Sequence, residues 1–107
     1  MSADRYERVL MNLCLNAREA MPEGGELSLT TRRQDDGRVT LTVRDTGAGM
    51  TRETREHMFD PFFTTKDEGT GLGLTTVYQL VTSTGGDIAV DTAPGSGATF
   101  TVDLPGV

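Results

Sequence analysis

Two glycine clusters, Asp45-Thr46-Gly47-Ala48-Gly49-Met50 and Gly69-Thr70-Gly71-Leu72-Gly73-Leu74, constrain this chain more than any other feature. Glycine has no Cβ, so each cluster marks a place where the backbone turns sharply or is approached closely. Two such places in 107 residues, separated by a segment rich in Phe and Thr, point to something flat and polyanionic held between them. A nucleotide is the natural candidate. The length fits one domain spanning residues 1–107, burying roughly two-thirds of the surface its unfolded chain exposes.

Charge narrows the partners. A net charge of −6 with scattered Lys and Arg argues against nucleic acid, because phosphate-backbone recognition relies on clustered basic residues. Any bound phosphate must be held locally, by oriented backbone N–H groups, a helix N-terminus or a metal ion. Cys14 is alone, which excludes a disulfide framework and a thiolate metal site. No apolar run approaches the roughly 18 residues of a membrane span, and the N-terminus lacks signal-peptide architecture. The expectation is a fragment without membrane contact in a reducing, cytoplasmic setting.

Apolar periodicity lays out the elements. Tyr6, Val9, Leu10, Leu13, Ala17, Ala20 and Met21 recur at helical spacing, predicting a helix from near Asp4 that stops at Pro22 and Gly24-Gly25. Leu27, Leu29 and Thr31 alternate with polar residues, as do Val39, Leu41 and Val43 beyond Asp35-Asp36-Gly37, so a hairpin follows. Both strands are expected to place one face on the helix. Thr51 caps a short helix to about Met58, and the stretch from Asp60 to Gly73 has no periodicity and reads as a loop. Leu74, Val77, Tyr78 and Val81 mark a second long helix that begins at the glycines and stops at Gly85-Gly86. Ile88 and Val90, the turn Pro94-Gly95-Ser96-Gly97, and Phe100, Val102 and Leu104 complete a second hairpin. The sum is a two-layer α/β sandwich, a largely antiparallel sheet with helices on one face.

Several residues could carry chemistry. On a helical wheel Asn12, Asn16 and Glu19 form one polar row beside the apolar stripe. Amide oxygens suit Mg²⁺, which takes few protein ligands alongside substrate phosphates, although the same amides could be solvated or bonded to a neighbouring loop. Asp45 continues the inward phase of Val39, Leu41 and Val43. It is either a carboxylate aimed at the core side, which must find donors, or a turn residue capping the loop to Gly49. An adenine amine would supply a donor, whereas guanine presents an acceptor oxygen there. Gly47 and Gly49 permit close approach to a flat ligand, and Gly69, Gly71 and Gly73 free backbone N–H groups at a helix start. The second cluster follows no strand, so it is not a dinucleotide fingerprint, and no GxxxxGK[ST] is present. In the intervening loop Phe59, Phe62 and Phe63 serve as loop supports or as core and interface residues, and Lys66 can reach a phosphate. His57 reads as a surface residue of the short helix, without a catalytic role.

In this order the segments resemble the catalytic, ATP-binding domain of two-component sensor histidine kinases, within the superfamily of gyrase, heat-shock chaperones and mismatch-repair ATPases. NLCLNAREAM (12–21) is similar to the kinase N box, DTGAGM (45–50) to the first glycine box and FDPFFTTK (59–66) to the F box. GTGLGL (69–74) is similar to the second glycine box and GSGATF (95–100) to the last small-residue turn. Together the motifs cover nearly the whole chain, and five in register are far more specific than any one.

The resemblance implies a Bergerat-type ATP-binding fold. It implies that Asn16 ligands Mg²⁺ with help from Asn12, that Asp45 bonds the adenine amine, and that Thr99 supports it. It places Gly47, Gly49, Gly69, Thr70, Gly71, Leu72, Gly73 and Leu74 around base and phosphates, with Lys66 a further phosphate contact. ATP-hydrolysing relatives carry a Glu one helical turn before the metal Asn; Asn12 stands there, and an amide cannot act as that base. The implied acceptor of the γ-phosphoryl group is then a histidine on a separate helical dimerisation domain, and a response regulator is the implied partner beyond it. Some such kinases carry a basic residue where this chain has Glu19. Two other readings are a nucleotide-binding regulatory module without transfer activity and a protein-serine kinase of the anti-sigma-factor type; the FFTTK segment fits a sensor kinase better.

Overall fold

The computed structural model describes residues 3–59 and 73–105. Helix α1 (Ala3–Glu19) carries Asp4 in its first turn and Arg18 in its last, each complementing the helix dipole. Val9, Leu13 and Ala17, four residues apart, are its buried stripe, with Tyr6 and Leu10 packed at the margin. The helix ends two residues before Met21, where the Met21 N–H tightens onto the Arg18 carbonyl at 3.1 Å.

Strands β1 (Leu27–Arg33), β2 (Val39–Asp45), β3 (Asp87–Thr92) and β4 (Ala98–Leu104) form one sheet in the order β1-β2-β4-β3. All three pairings are antiparallel. The two hairpins read from the sequence are therefore joined through β2 and β4, which puts Asp45 directly opposite Ala98. Leu41 and Val43 of β2 and Phe100, Val102 and Leu104 of β4 meet Val9 and Leu13 in one core.

Helix α3 (Gly73–Ser83) adds Val77 and Val81 to that core and packs against α1. It ends in a Schellman motif: Gly86 N–H donates to Val81 C=O at 2.9 Å and Gly85 N–H to Thr82 C=O at 3.1 Å. Gly85 takes φ 81°, which is why a glycine stands there. The short helix α2 (Arg52–His57) buries no residue of its own and is capped by Thr51, whose side chain accepts from Thr54 N–H at 3.1 Å.

One expectation fails. β1 is exposed at all seven positions, with Leu27 at 41 % and Leu29 at 49 % accessibility. Their register, opposite Asp45 and Val43, does point them to the helix side. β1 is one of the two edge strands; α1 touches it, but Leu27 lines a groove beside Met11, Cys14 and Leu15 instead of being closed over by them.

The stripe in α1 yields a direct test. Truncating Leu13 to Ala should cost about 3 kcal/mol of unfolding free energy. Met11→Ala, at a position 64 % exposed on the same helix, should change it by less than about 0.5 kcal/mol in the same urea titration.

Candidate functional site

Asp45 lies at the end of β2 with 3 % of its surface accessible. Its Oδ1 accepts from Gly47 N–H at 2.8 Å, so the carboxylate is both inward-facing and the cap of its own loop. The two sequence readings of Asp45 thus describe one geometry. Buried charge requires donors, and the loop supplies one of them.

Backbone packs on backbone around this loop. A Cβ on Gly47 would collide with the Ala20 carbonyl, one on Gly49 with the Ala93 carbonyl, and one on Gly97 with the Asp45 carbonyl. Gly49 and Gly97 both sit at φ 71°. The sharp turn expected of Gly47 and Gly49 is present, and the contacts that exclude a side chain at both come from the protein's own backbone. Ala48 N–H donates to Ala20 C=O at 3.2 Å, and Gly95 N–H to Ala48 C=O at 2.7 Å. Residues 45–50 are thereby fixed between the end of α1 and the β3–β4 turn.

The same junction fixes the C-terminal end of α1 that carries the two asparagines. Ala20 N–H closes the last turn of α1 on Asn16 C=O at 3.0 Å, so Asn16 lies one turn before the loop contact and Asn12 one turn further. Both are half-buried, whereas Glu19 is exposed; Asn16 and Glu19 each have partners within the chain. Among the described residues no three His, Cys, Asp or Glu side chains could hold a metal ion together. The donors that fit a cation here are the two amides, a sparse oxygen set suited to an ion that keeps water and phosphate ligands.

The structure does not bring Thr99 to the site. Thr99 pairs with Arg44 on one side and Asp91 on the other, in the phase opposite to Asp45. Strand alternation places its side chain on the sheet face away from the helices, and Ala98, Asp45's true neighbour, has no hydroxyl. Thr99 is therefore out of phase with Asp45 and does not give it the expected support. Gly73 opens α3, and Leu74 is half-buried against the core. Lys66, Gly69, Thr70, Gly71 and Leu72 lie outside the described residues, as do Phe62 and Phe63.

Of the two places the sequence allowed for Phe59, loop support or core, the structure shows the core one. Phe59 packs against the core and stacks on Tyr78 with ring centroids 5.2 Å apart, and its carbonyl accepts from Thr75 Oγ1 at 2.9 Å. Thr92, half-buried at the end of β3, accepts from Met50 N–H at 3.0 Å and donates to Gly97 C=O at 2.7 Å. Its only sequence signal is a hydroxyl just before the Pro94-Gly95 turn. On the other flank of α1 a groove lined by Met11, Cys14, Leu15 and Leu27 contains none of the predicted site residues. Burial there pushes the Cys14 thiol above its ordinary pKa.

The family model for histidine kinase-, DNA gyrase B- and HSP90-like ATPases matches residues 1–107. The chain belongs to this family. It is 47 % identical over 102 residues to the sensor histidine kinase ZraS of Klebsiella oxytoca, a match covering 95 % of this chain and 22 % of that protein. The mycobacterial sensor histidine kinase MprB superposes with a TM-score of 0.86 at 31 % identity, covering 99 % of this chain and 73 % of that one. Full-length ShkA, solved in complex with AMPPNP, superposes with a TM-score of 0.83 at 37 % identity, covering 94 % of this chain and 21 % of that one. These similarities place the chain among protein-histidine kinase catalytic domains; it spans about a fifth of the length of ZraS. No helix among the described residues is long and apolar enough to cross a membrane.

Gly95 and Gly97 test the packing around the loop. Both have positive φ, 78° and 71°, but a Cβ on Gly95 meets nothing within 4 Å. Gly95→Ala should cost about 1 kcal/mol from backbone strain alone. Gly97→Ala should cost about 1–3 kcal/mol more, because the Asp45 carbonyl must move, and chemical denaturation of the two variants measures the difference.

Proposed function

We propose that this chain binds ATP with Mg²⁺ and donates the γ-phosphoryl group to a histidine on a separate helical dimerisation domain. The observation that carries the reading is Asp45, a carboxylate 3 % accessible at a glycine loop, with Gly47 N–H as one donor. An adenine amine fits such an acceptor; the guanine oxygen would be repelled. The ATPase family and the AMPPNP bound to ShkA support the choice of nucleotide.

In this reading Asn16, assisted by Asn12, holds Mg²⁺, which supplies charge neutralisation at the β- and γ-phosphates. Gly73 opens α3, and the first-turn N–H groups of that helix would offer the phosphates a favourable end for anions. Lys66 and residues 69–72 are proposed phosphate contacts. Asn12 stands where hydrolytic relatives carry a glutamate, and an amide cannot deprotonate water. The chain's work is positioning and electrostatics, with the nucleophile supplied from outside. His57, exposed on α2, is not that nucleophile. A response regulator would receive the phosphoryl group next, in the parent protein.

The test uses radiolabelled ATP. The purified chain alone should acquire no label, whereas a histidine-bearing helical domain added in trans should become labelled in a Mg²⁺-dependent way. Asn16→Ala should abolish the transfer and Thr99→Val should leave it intact. Label on the chain itself, or none on the added domain despite measured ATP binding, contradicts the proposal.

A further inference from the structure

The structure assigns Thr92, which lies outside every motif of the site, the task of positioning the adenine-recognition loop. This inference rests on the nucleotide reading above. Thr92 is the last residue of β3 and shares an inner row with Ala98 and Asp45. Two interstrand spacings, about 10 Å, separate it from Asp45, so its hydroxyl is too far to share Asp45's ligand atom. It acts through the backbone instead.

The hydroxyl spans two segments. Its oxygen accepts from Met50 N–H at 3.0 Å, fixing the last residue of loop 45–50. It donates to Gly97 C=O at 2.7 Å, fixing the turn residue whose Cα faces the Asp45 carbonyl. The start of the same loop is held by the Asp45 carboxylate on Gly47 N–H and its middle by Ala48 on Ala20 and Gly95. Without the hydroxyl, Met50 N–H and Gly97 C=O lose this shared partner. Gly97 is buried, so water cannot readily replace it. Gly97 packs on the Asp45 carbonyl and Met50 ends the loop that Asp45 begins, so losing both bonds loosens the loop at two points.

Valine matches threonine in shape and strand preference but makes neither bond, whereas serine retains both. Titration calorimetry with Mg-ADP and Mg-GDP should show Thr92→Val binding ADP about tenfold more weakly than wild type, with a reduced preference for ADP over GDP. Thr92→Ser should keep the wild-type affinity and preference. A purely structural role would lower the melting temperature of the valine variant while leaving affinity and base preference intact below it; that result overturns the inference. Loss of affinity in Thr92→Ser equal to that in Thr92→Val also overturns it, and serine decides the matter if valine prevents folding. Wild-type protein that binds neither nucleotide would instead overturn the nucleotide reading, and this inference with it.

Discussion

A carboxylate removed from water at the end of a central strand is the constraint on which the rest of this structure depends. Burying a charge is costly unless donors meet it, and Asp45 is met by the N–H of Gly47 two residues later. That bond requires the chain to turn at once. The turn brings Gly47 onto the end of α1 and Gly49 onto the β3–β4 connection, with backbone contacts too close for any Cβ. The glycines of the first cluster thus serve the protein's own packing.

The strand order converts this local geometry into a site. Because β2 pairs with β4, the turn before β4 arrives beside Asp45 from the far end of the sequence. Because α1 and α3 both pack on the inner face of the central strands, the two helices lie on the side to which Asp45 points. At the other end of the sheet Arg38 ties the β1–β2 turn to Asp103 at 3.0 Å and to the Gly85 carbonyl at 3.2 Å. With both partners partly exposed, this clamp contributes about 0–1 kcal/mol and matters more for registration than for stability.

Much of this was legible in the sequence, because it is governed by local physics. The buried stripe of α1, the Thr51 cap and the glycine stop of α3 each follow from residues within a few positions of one another. What escaped depends on long-range placement. Leu27 and Leu29 alternate like a covered strand, and only the sheet order reveals that β1 is an edge strand. Thr92 meets Met50 across 42 residues, which no periodicity encodes. Thr99 is a different case: the alternation Phe100, Val102, Leu104 already puts it in the outward phase, against the role its motif implied.

If Asp45 recognises adenine through its charge, as proposed, Asp45→Asn isolates that charge. Asparagine retains an oxygen for Gly47 N–H, so the loop should persist while the charged acceptor is lost. Calorimetry with Mg-ADP should then show affinity reduced about ten- to a hundredfold, the worth of a hydrogen bond to a charged group. Unchanged affinity, with ADP still preferred over GDP, would contradict the account.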